Sequence, residues 1–280
     1  MLGAPNVGKS SLLNALVGEH VSIVTNLAGT TRDKISGFSD RFEIVDTPGM
    51  HKSAHMLGKH MRKSISAAVS DAAVIVFVLD ATAIASADIT KISNYRDKQP
   101  VIVAVNKTDR TNFEKLYPVL ESLNKLDFVR AIVPVSAKTG LNIDVLASEI
   151  AKIVPPSTTA PDPDIYTTQT MRQMAAEIIR GAIIENTRAE VPHGVAVLVT
   201  KFTARPDVTE IHADIICEKD SHKPILIGRG GTTLKKIGMT ARKRIEELAG
   251  GRVSLITHVV VRPGWKNDKE LLEQLQYTNI

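Results

Sequence analysis

The sequence predicts an α/β domain with a doubly wound sheet, followed by a smaller α+β domain. Over residues 1–155, short β-rich apolar runs alternate with longer amphipathic stretches, as in strands joined by crossover helices. Four prolines between residues 154 and 163 interrupt this pattern, and we assign an interdomain linker to residues 156–168. Residues 169–280 then show the order helix, strand, strand, loop, helix and strand, which predicts a second domain.

Four apolar runs predict the strands of the first domain, and two amphipathic segments predict its crossover helices. The runs are Phe42–Val45, Val74–Leu79, Val101–Val105 and Ile132–Val135. All but the first are almost continuously apolar, as expected of parallel strands that helices cover on both faces. The segments Leu57–Val69 and Phe113–Lys125 are long enough to be helices.

The second domain is predicted to contain two helices and three strands around a glycine-rich loop at residues 228–231. Helical spacing of apolar residues predicts the helices, and β-rich runs predict the strands. In chain order they are Thr170–Arg188, Val195–Phe202, Val208–Cys217, Thr232–Leu248 and Val253–Val261. A short charged tail helix follows Trp265, whose indole we expect to pack in the core.

Composition excludes several classes of protein. Of the 280 residues, 43% are apolar, 23% charged and 4% aromatic, which is typical of a globular protein and not of a disordered or fibrous one. The longest apolar run, Ala72–Leu79, is far shorter than the roughly 20 residues that span a bilayer, and we expect no secretory signal. The single cysteine, Cys217, excludes an internal disulfide and suits a reducing compartment.

The formal charge of +5 is concentrated in one segment. Residues 219–252 hold nine basic and three acidic residues, a net charge of +6. This basic segment surrounds the glycine-rich loop, and it indicates an anionic partner for that part of the chain.

The segment Gly3–Ser10 fits the phosphate-binding loop pattern of two spaced glycines followed by Lys-Ser. Backbone amides would surround the phosphates, Lys9 would neutralise their charge, and the Ser10 hydroxyl would bind Mg²⁺. A structural glycine turn is the alternative, and the motif alone leaves ATP and GTP open. The predicted contacts are Gly3, Asn6, Val7, Gly8, Lys9, Ser10 and Ser11.

Three later segments, each after a predicted strand, favour guanine. The Asp109 carboxylate can accept hydrogen bonds from the guanine N1–H and amino group, whereas adenine presents an acceptor there. Residues 136–138 could place a backbone N–H at the guanine carbonyl. Asp46 offers a carboxylate to Mg²⁺, and Gly49 an amide to the γ-phosphate. Each segment alone suits a turn or N-cap, but together they predict GTP and GDP as ligands, with contacts from Asp46, Gly49, Asn106, Lys107, Asp109, Ser136, Ala137 and Lys138.

These motifs resemble the translation-factor-related branch of the P-loop GTPases. Residues 30–33, Thr-Thr-Arg-Asp, are similar to that branch's first switch, and the resemblance makes Thr31 a ligand of Mg²⁺ beside Ser10 and Asp46, with Thr30 as the alternative. Met50 stands where Ras-like enzymes carry the glutamine that orients water, so we expect slow hydrolysis. The resemblance implies a K⁺ site at Asn6, and a catalytic set of Asn6, Lys9, Thr31 and Gly49.

Residues 225–238 resemble the signature of the KH fold, in which a Gly-x-x-Gly loop precedes an amphipathic helix. The order of elements is similar to that of the bacterial, type II KH arrangement. Such a glycine loop also occurs as a plain turn, and basic residues on a helix often only face solvent. The predicted RNA contacts are Gly228, Arg229, Gly230, Gly231, Lys235 and Lys236. Stacking of Trp265 on a base is an alternative to the packing that we favour.

A GTPase followed by one C-terminal KH domain resembles the Era family over nearly the whole chain. The resemblance implies a monomeric, cytoplasmic GTPase that binds 16S ribosomal RNA near its 3′ end and assists assembly of the 30S subunit. It also implies a peripheral contact with the inner face of the cell membrane.

Two features depart from the family. Only Met1 and Leu2 precede Gly3, so we expect a poorly anchored phosphate loop and weaker nucleotide binding. The short interval from Thr31 to Asp46 predicts a clipped hairpin. An alternative function is therefore an RNA-binding module whose GTPase half is a degenerate scaffold, and a third is a GTPase that docks on protein or membrane.

Overall fold

The computed structural model describes residues 1–24, 31–50, 54–155 and 165–277. Thr30 and most of the predicted linker lie outside these residues. The chain divides into two compact units, Met1–Ser53 with Met61–Thr168, and Ala54–His60 with Gln169–Ile280. Among the described residues, no helix combines the length and the hydropathy needed to cross a membrane.

The first unit contains an antiparallel hairpin and a parallel sheet. In the hairpin, β1 (Ile35–Phe38) pairs with β2 (Glu43–Asp46) over four residue pairs. That this hairpin is clipped relative to the family stays a prediction. The sheet consists of β3 (Ile75–Asp80), β4 (Val101–Asn106) and β5 (Val129–Pro134), parallel and in that order. Each predicted apolar run thus became a strand, displaced by at most a few residues.

Helices cover both faces of this sheet, as the sequence predicts. They are α1 (Lys9–Val17), α2 (Met56–Asp71), α3 (Ser86–Ser93), α4 (Phe113–Asn124) and α5 (Ile143–Ala151). Because successive strand residues point to opposite faces, Val76 and Val78 join a core with α1 and α5. Their neighbours Ile75 and Phe77 join a second core with α3 and α4. The sheet is therefore doubly wound.

The residues before the phosphate loop are anchored in the sheet. Leu2 donates its N–H to Val76 (2.9 Å), accepts from the N–H of Val78 (2.8 Å), and is only 2% exposed. The expectation of a poorly anchored loop is therefore wrong, because these backbone hydrogen bonds extend the parallel sheet on the outer side of β3. The weaker nucleotide binding expected from that feature stays a prediction.

The second unit is a three-stranded sheet with helices on one face. Its elements are α6 (Met171–Asn186), β6 (Val195–Ala204), β7 (Thr209–Cys217), α7 (His222–Ile227), α8 (Thr232–Ala249), β8 (Val253–Val261) and α9 (Lys269–Gln274). β7 is central, antiparallel to β6 and parallel to β8. Residues of α6 and α8, among them Ile179, Ile183 and Ile245, are fully buried against the sheet. This α+β arrangement has the element order that the sequence predicts.

Two details refine the sequence analysis of this unit. The segment before the glycine loop, for which the sequence predicts no helix, forms the short helix α7. This helix tolerates Pro224 because the first turn of a helix has no internal partner for that N–H. Trp265 is completely buried, and its indole N–H donates to the carbonyl of Gly194 (3.1 Å). Trp265 thus packs in the core, as expected.

Candidate functional site

The phosphate loop connects the buried Leu2 segment to the first turn of α1. Gly8 precedes the helix with φ 95°, a left-handed conformation, and a Cβ there would lie 2.3 Å from the Nδ2 atom of Asn106. Only glycine avoids both the strain and the clash. The loop therefore ends at a helix N-terminus whose free amides can receive anions.

Lys9 is buried, with 6% of its surface exposed, and it lies along its own loop. Its ammonium donates to the carbonyls of Ala4 (3.0 Å) and Gly3 (3.3 Å). Burial lowers the pKa of Lys9, and the nearby Asp46 carboxylate opposes that shift. An anionic ligand would offset the cost of burying this charge.

Three oxygen atoms from distant segments meet beside Lys9. Ser10 Oγ donates to Asp46 Oδ2 (2.6 Å), and Thr31 Oγ1 lies 3.1 Å from Ser10 Oγ and 3.4 Å from Asp46 Oδ2. Asp46 is fully buried, and its other oxygen, Oδ1, has no hydrogen-bond partner among the described residues. Burial raises the pKa of Asp46, and Lys9 and the two hydroxyls oppose that shift.

This donor set fits Mg²⁺, which prefers carboxylate and hydroxyl oxygens. The buried, unsatisfied Oδ1 atom is the observation that favours a cation here, because such an atom is costly unless a ligand satisfies it. The structure thus brings together the three residues, Ser10, Thr31 and Asp46, that the sequence predicts as metal ligands.

Gly49 approaches the phosphate loop from the end of the β2 segment. A Cβ at this position would lie 2.9 Å from two atoms of Pro5, so a side chain would push the two loops apart. The next residue, Met50, donates its N–H to Gly3 (3.3 Å), and its sulfur accepts from the hydroxyl of Tyr95 (3.7 Å). The Met50 side chain therefore faces Tyr95 and offers nothing that could orient water.

At the carboxyl end of β4, Asn106 joins the phosphate loop to the loop after β5. Its Nδ2 donates to the carbonyl of Val7 (2.9 Å), and its Oδ1 accepts from the N–H of Ala137 (3.0 Å). The side chain is buried, and both of its polar ends are satisfied. Asn106 therefore acts as a strut between two loops that are far apart in sequence.

Asp109 and the loop after β5 form the base-recognition end. Ser136 is fully buried and donates its hydroxyl to Asp109 Oδ1 (2.7 Å), which fixes the carboxylate. Since Ala137 already donates to Asn106, the N–H left for a ligand in this loop is that of Lys138, for which the described residues offer no acceptor. The sequence predicts that a backbone N–H in residues 136–138 meets the guanine carbonyl, and the structure favours the N–H of Lys138 for this contact.

Lys107 has a partner that sequence reasoning missed. Its ammonium donates to the carbonyl of Asn6 and to Asp80 Oδ2, both at 2.5 Å. Asp80 is the last residue of β3, so it lies at the same sheet edge as Asn106. The signal was available, because a polar residue directly after a buried apolar run marks the carboxyl end of a strand.

These loops surround a cavity of about 900 Å³ at the carboxyl edge of the parallel sheet. Open α/β sheets bind ligands at that edge. Of the predicted nucleotide contacts, the residues that line the cavity are Asn6, Gly8, Lys9, Ser10, Ser11, Thr31, Gly49, Asn106, Lys107, Asp109, Ala137 and Lys138. The predicted contacts Gly3, Val7, Asp46 and Ser136 are buried behind it.

In the second unit, the glycine loop lies between α7 and α8. Gly228 has φ 76°, and a Cβ there would lie 2.3 Å from Thr233 Oγ1, so this glycine is required by the fold. In contrast, a Cβ at Gly230 or Gly231 would meet nothing within 4 Å. The outer side of the loop is therefore open to a polymer backbone.

Exposed basic residues flank this loop. Arg229, Lys235 and Lys236 are exposed, and none of them forms an ion pair with another described residue. Further along α8, Arg242 and Lys243 pair with Glu246 and Glu247, each at 3.9 Å. Arg244 donates two shorter hydrogen bonds to the Glu185 carboxylate (2.8 and 3.0 Å). The unneutralised positive charge thus lies beside the loop.

Family models match both units. Residues 1–107 match a family described as 50S ribosome-binding GTPase, and residues 190–266 match the KH domain family. A GTPase Era from Alkaliphilus metalliredigens is 37% identical over 285 residues, which cover 99% of this chain and 97% of that protein. The GTPase Era of Ruminiclostridium cellulolyticum is 38% identical over 284 residues, which cover 99% of this chain and 95% of the relative.

Two solved structures have the same fold over the same length. A single-substitution variant of Aquifex aeolicus Era bound to GDP·AlF4⁻ superposes with a TM-score of 0.93 at 34% identity and covers 99% of this chain and 97% of its own. A structure of Era in complex with MgGDPNP and nucleotides 1506–1542 of 16S ribosomal RNA gives 0.92 at 34% identity, with coverages of 99% and 96%. The predicted order of a GTPase domain before a KH domain is confirmed.

Proposed function

Because the chain belongs to the Era family of GTPases, we propose that it hydrolyses GTP and binds 16S ribosomal RNA near its 3′ end, in support of 30S subunit assembly. The observation that carries the enzymatic part is one cavity lined by Lys9, Ser10, Thr31 and Asp109. The Asp46 carboxylate lies behind its wall and accepts a hydrogen bond from Ser10. These groups match the charge of a triphosphate and the hydrogen-bonding edge of guanine.

The chemistry assigned to this chain is mainly positioning and charge stabilisation. Asp109 and the Lys138 amide select guanine, and the amides at the start of α1 together with Lys9 hold the phosphates. When bound at Ser10, Thr31 and Asp46, Mg²⁺ would supply positive charge to the β- and γ-phosphates. Because the Met50 side chain faces Tyr95, it cannot orient the attacking water as a glutamine would, and we expect slow hydrolysis.

The degenerate-scaffold alternative is not supported. A decayed site would have lost some of its chemistry, yet the lysine, the hydroxyls and both carboxylates are present and close to one cavity. Phosphate release from GTP by the purified full chain, compared with release from ATP at the same concentration, tests the enzymatic part. Equal rates with both nucleotides would contradict guanine selection.

A potassium ion at Asn6 remains part of the proposal. The Asn6 side chain is exposed and lines the cavity, and its amide oxygen is a donor that hard cations accept. We expect GTP hydrolysis to fall by about tenfold or more when Na⁺ replaces K⁺ at constant ionic strength, since loss of one charge-stabilising contact costs at least that much. Equal rates in the two salts would remove Asn6 from the catalytic set.

The RNA part of the proposal rests on the open glycine loop and its basic flank. The Era structure with 16S ribosomal RNA shows that a relative of this fold binds that RNA. In this chain the Gly230–Gly231 side would receive the RNA backbone, while Arg229, Lys235 and Lys236 would contact phosphates.

The double substitution Arg229→Glu with Lys235→Glu should weaken the binding of a single-stranded RNA from the 3′ end of 16S rRNA by about a hundredfold. If both side chains contact phosphates, the slope of log affinity against log salt should also fall by about 1.4, at about 0.7 per contact with a single strand. Fluorescence anisotropy of a labelled RNA, measured over a salt series, gives both quantities.

The control is Arg242→Glu with Lys243→Glu, which makes the same charge change further along α8. Both control residues are exposed and already paired with glutamates, so they should matter less. Equal losses in the two double variants would mean that only the total charge matters. No loss in either would favour docking on protein or membrane.

We place this activity in the cytoplasm, because the ribosomal RNA that it would bind is there. The monomeric state and the peripheral membrane contact implied by the resemblance stay predictions. The domain limits 1–155, 156–168 and 169–280 are likewise part of the proposal.

A further inference from the structure

Asp80 ends β3 with a carboxylate that has two separate sets of partners. Its Oδ1 accepts from the N–H (3.0 Å) and the hydroxyl (2.7 Å) of Thr82 in the turn that follows. Its Oδ2 accepts from the ammonium of Lys107 at 2.5 Å. The first set fixes the orientation of the carboxylate. The second pairs its charge with Lys107, which lies in the loop after β4 that also carries Asp109.

Lys107 is held in place by side-chain contacts against its backbone preference. Its φ of 65° lies in the left-handed region, which is strained for a non-glycine residue. The ammonium bridges Asp80 and the carbonyl of Asn6 in the phosphate loop. Lys107 and Asp80 are 23% and 18% exposed, so water screens this ion pair only partly.

We propose that Asp80 is a positioning residue for guanine-nucleotide binding, which acts by holding the Lys107 ammonium on the phosphate loop. Lys107 and Asn6 both line the nucleotide cavity, and the Lys107 ammonium donates to the Asn6 carbonyl. Without the Asp80 carboxylate, the long lysine side chain regains rotamer freedom. The loop after β4 then loses one of its links to the phosphate loop, while the Asn106–Val7 bond remains. This inference rests on the proposed nucleotide-binding function and adds a residue to it.

The ionisation of Asp80 agrees with this role. Partial burial alone would raise the pKa of Asp80, but the hydrogen bonds from Lys107 and Thr82 outweigh burial and lower it. Asp80 therefore stays ionised near neutral pH and keeps its charge on Lys107.

Asp80→Asn in the full chain is the direct test. Asparagine keeps an oxygen for Thr82 but loses the charge on Lys107, so the turn should survive. We expect release of a fluorescent GDP analogue to become about tenfold faster, which is about 1.4 kcal/mol. The matched control is Asp127→Asn, which removes the exposed ion pair with Arg96 near the start of β5, at the opposite edge of the sheet.

A double-mutant cycle separates positioning from a general structural role. If Asp80 acts through Lys107, then Asp80→Asn should change GDP release by less than about twofold in a Lys107→Met background. Tenfold acceleration in both backgrounds, or the same acceleration in Asp127→Asn, would overturn the inference. Tight GDP binding by the unsubstituted chain with no change in Asp80→Asn would also overturn it and leave the proposed function standing. Failure of the unsubstituted chain to bind GDP would instead refute the proposed function.

Discussion

Lys9→Ala should lower GTP turnover by about 10²–10³-fold, the loss expected when a positioned charge-stabilising group is removed. The ammonium is buried and hydrogen-bonded to its own loop, so it is in place before any ligand arrives. Alanine at this position leaves no cation in the loop itself to neutralise a polyphosphate. The measurement is phosphate release by the purified full chain at saturating GTP, together with the affinity for GDP.

Two controls make the Lys9 result interpretable. Lys125→Ala removes an exposed lysine after α4, away from the cavity, and should leave turnover unchanged. RNA affinity of the Lys9→Ala chain should match that of the unsubstituted chain, which shows that the second unit remains folded. Turnover that persists in Lys9→Ala would mean that the phosphate loop does not carry the activity.

Asp109→Asn should exchange guanine for xanthine selectivity, with a loss of GDP affinity of about 10⁴-fold. A site built to pair with a ligand N–H rejects a mismatched partner by about that factor, because buried polar groups are left unsatisfied. Xanthine carries a carbonyl where guanine carries its amino group, so an amide N–H at this position can pair with it.

The contact with Ser136 explains why the asparagine should be correctly oriented. Ser136 donates its hydroxyl to Asp109 Oδ1, so it would hold the Oδ1 of an asparagine and leave the Nδ2 group toward the base. Competition of GDP and xanthosine diphosphate against a fluorescent nucleotide measures the exchange. Asp97→Asn, at an exposed position before β4, should leave guanine selectivity intact. If Asp109→Asn keeps guanine selectivity as well, another group recognises the base.

The fold was largely predictable, because hydrophobic periodicity is a local property of the chain. The run Val74–Leu79 predicted β3, and apolar residues spaced three and four positions apart predicted α8. The short helix α7 was missed because six residues carry too little periodicity to distinguish a helix from a turn. The anchoring of Leu2 was missed because two residues before a motif carry no strand pattern, and only pairing with β3 shows that they extend the sheet.

The functional site was likewise predictable in part from the sequence. Residue types and spacings within motifs determined the chemistry, namely a phosphate loop at Gly3–Ser10, guanine recognition at Asp109 and a backbone-binding glycine loop at Gly228–Gly231. Tertiary structure alone decided how these residues support one another. Asn106 bonds Val7 across 99 positions, while Ser136 with Asp109 and Lys107 with Asp80 each span 27. Such pairs form only where the parallel sheet brings two strand ends side by side. They cannot be predicted from the sequence, because the packing of the whole domain sets the register between strands and local spacing does not.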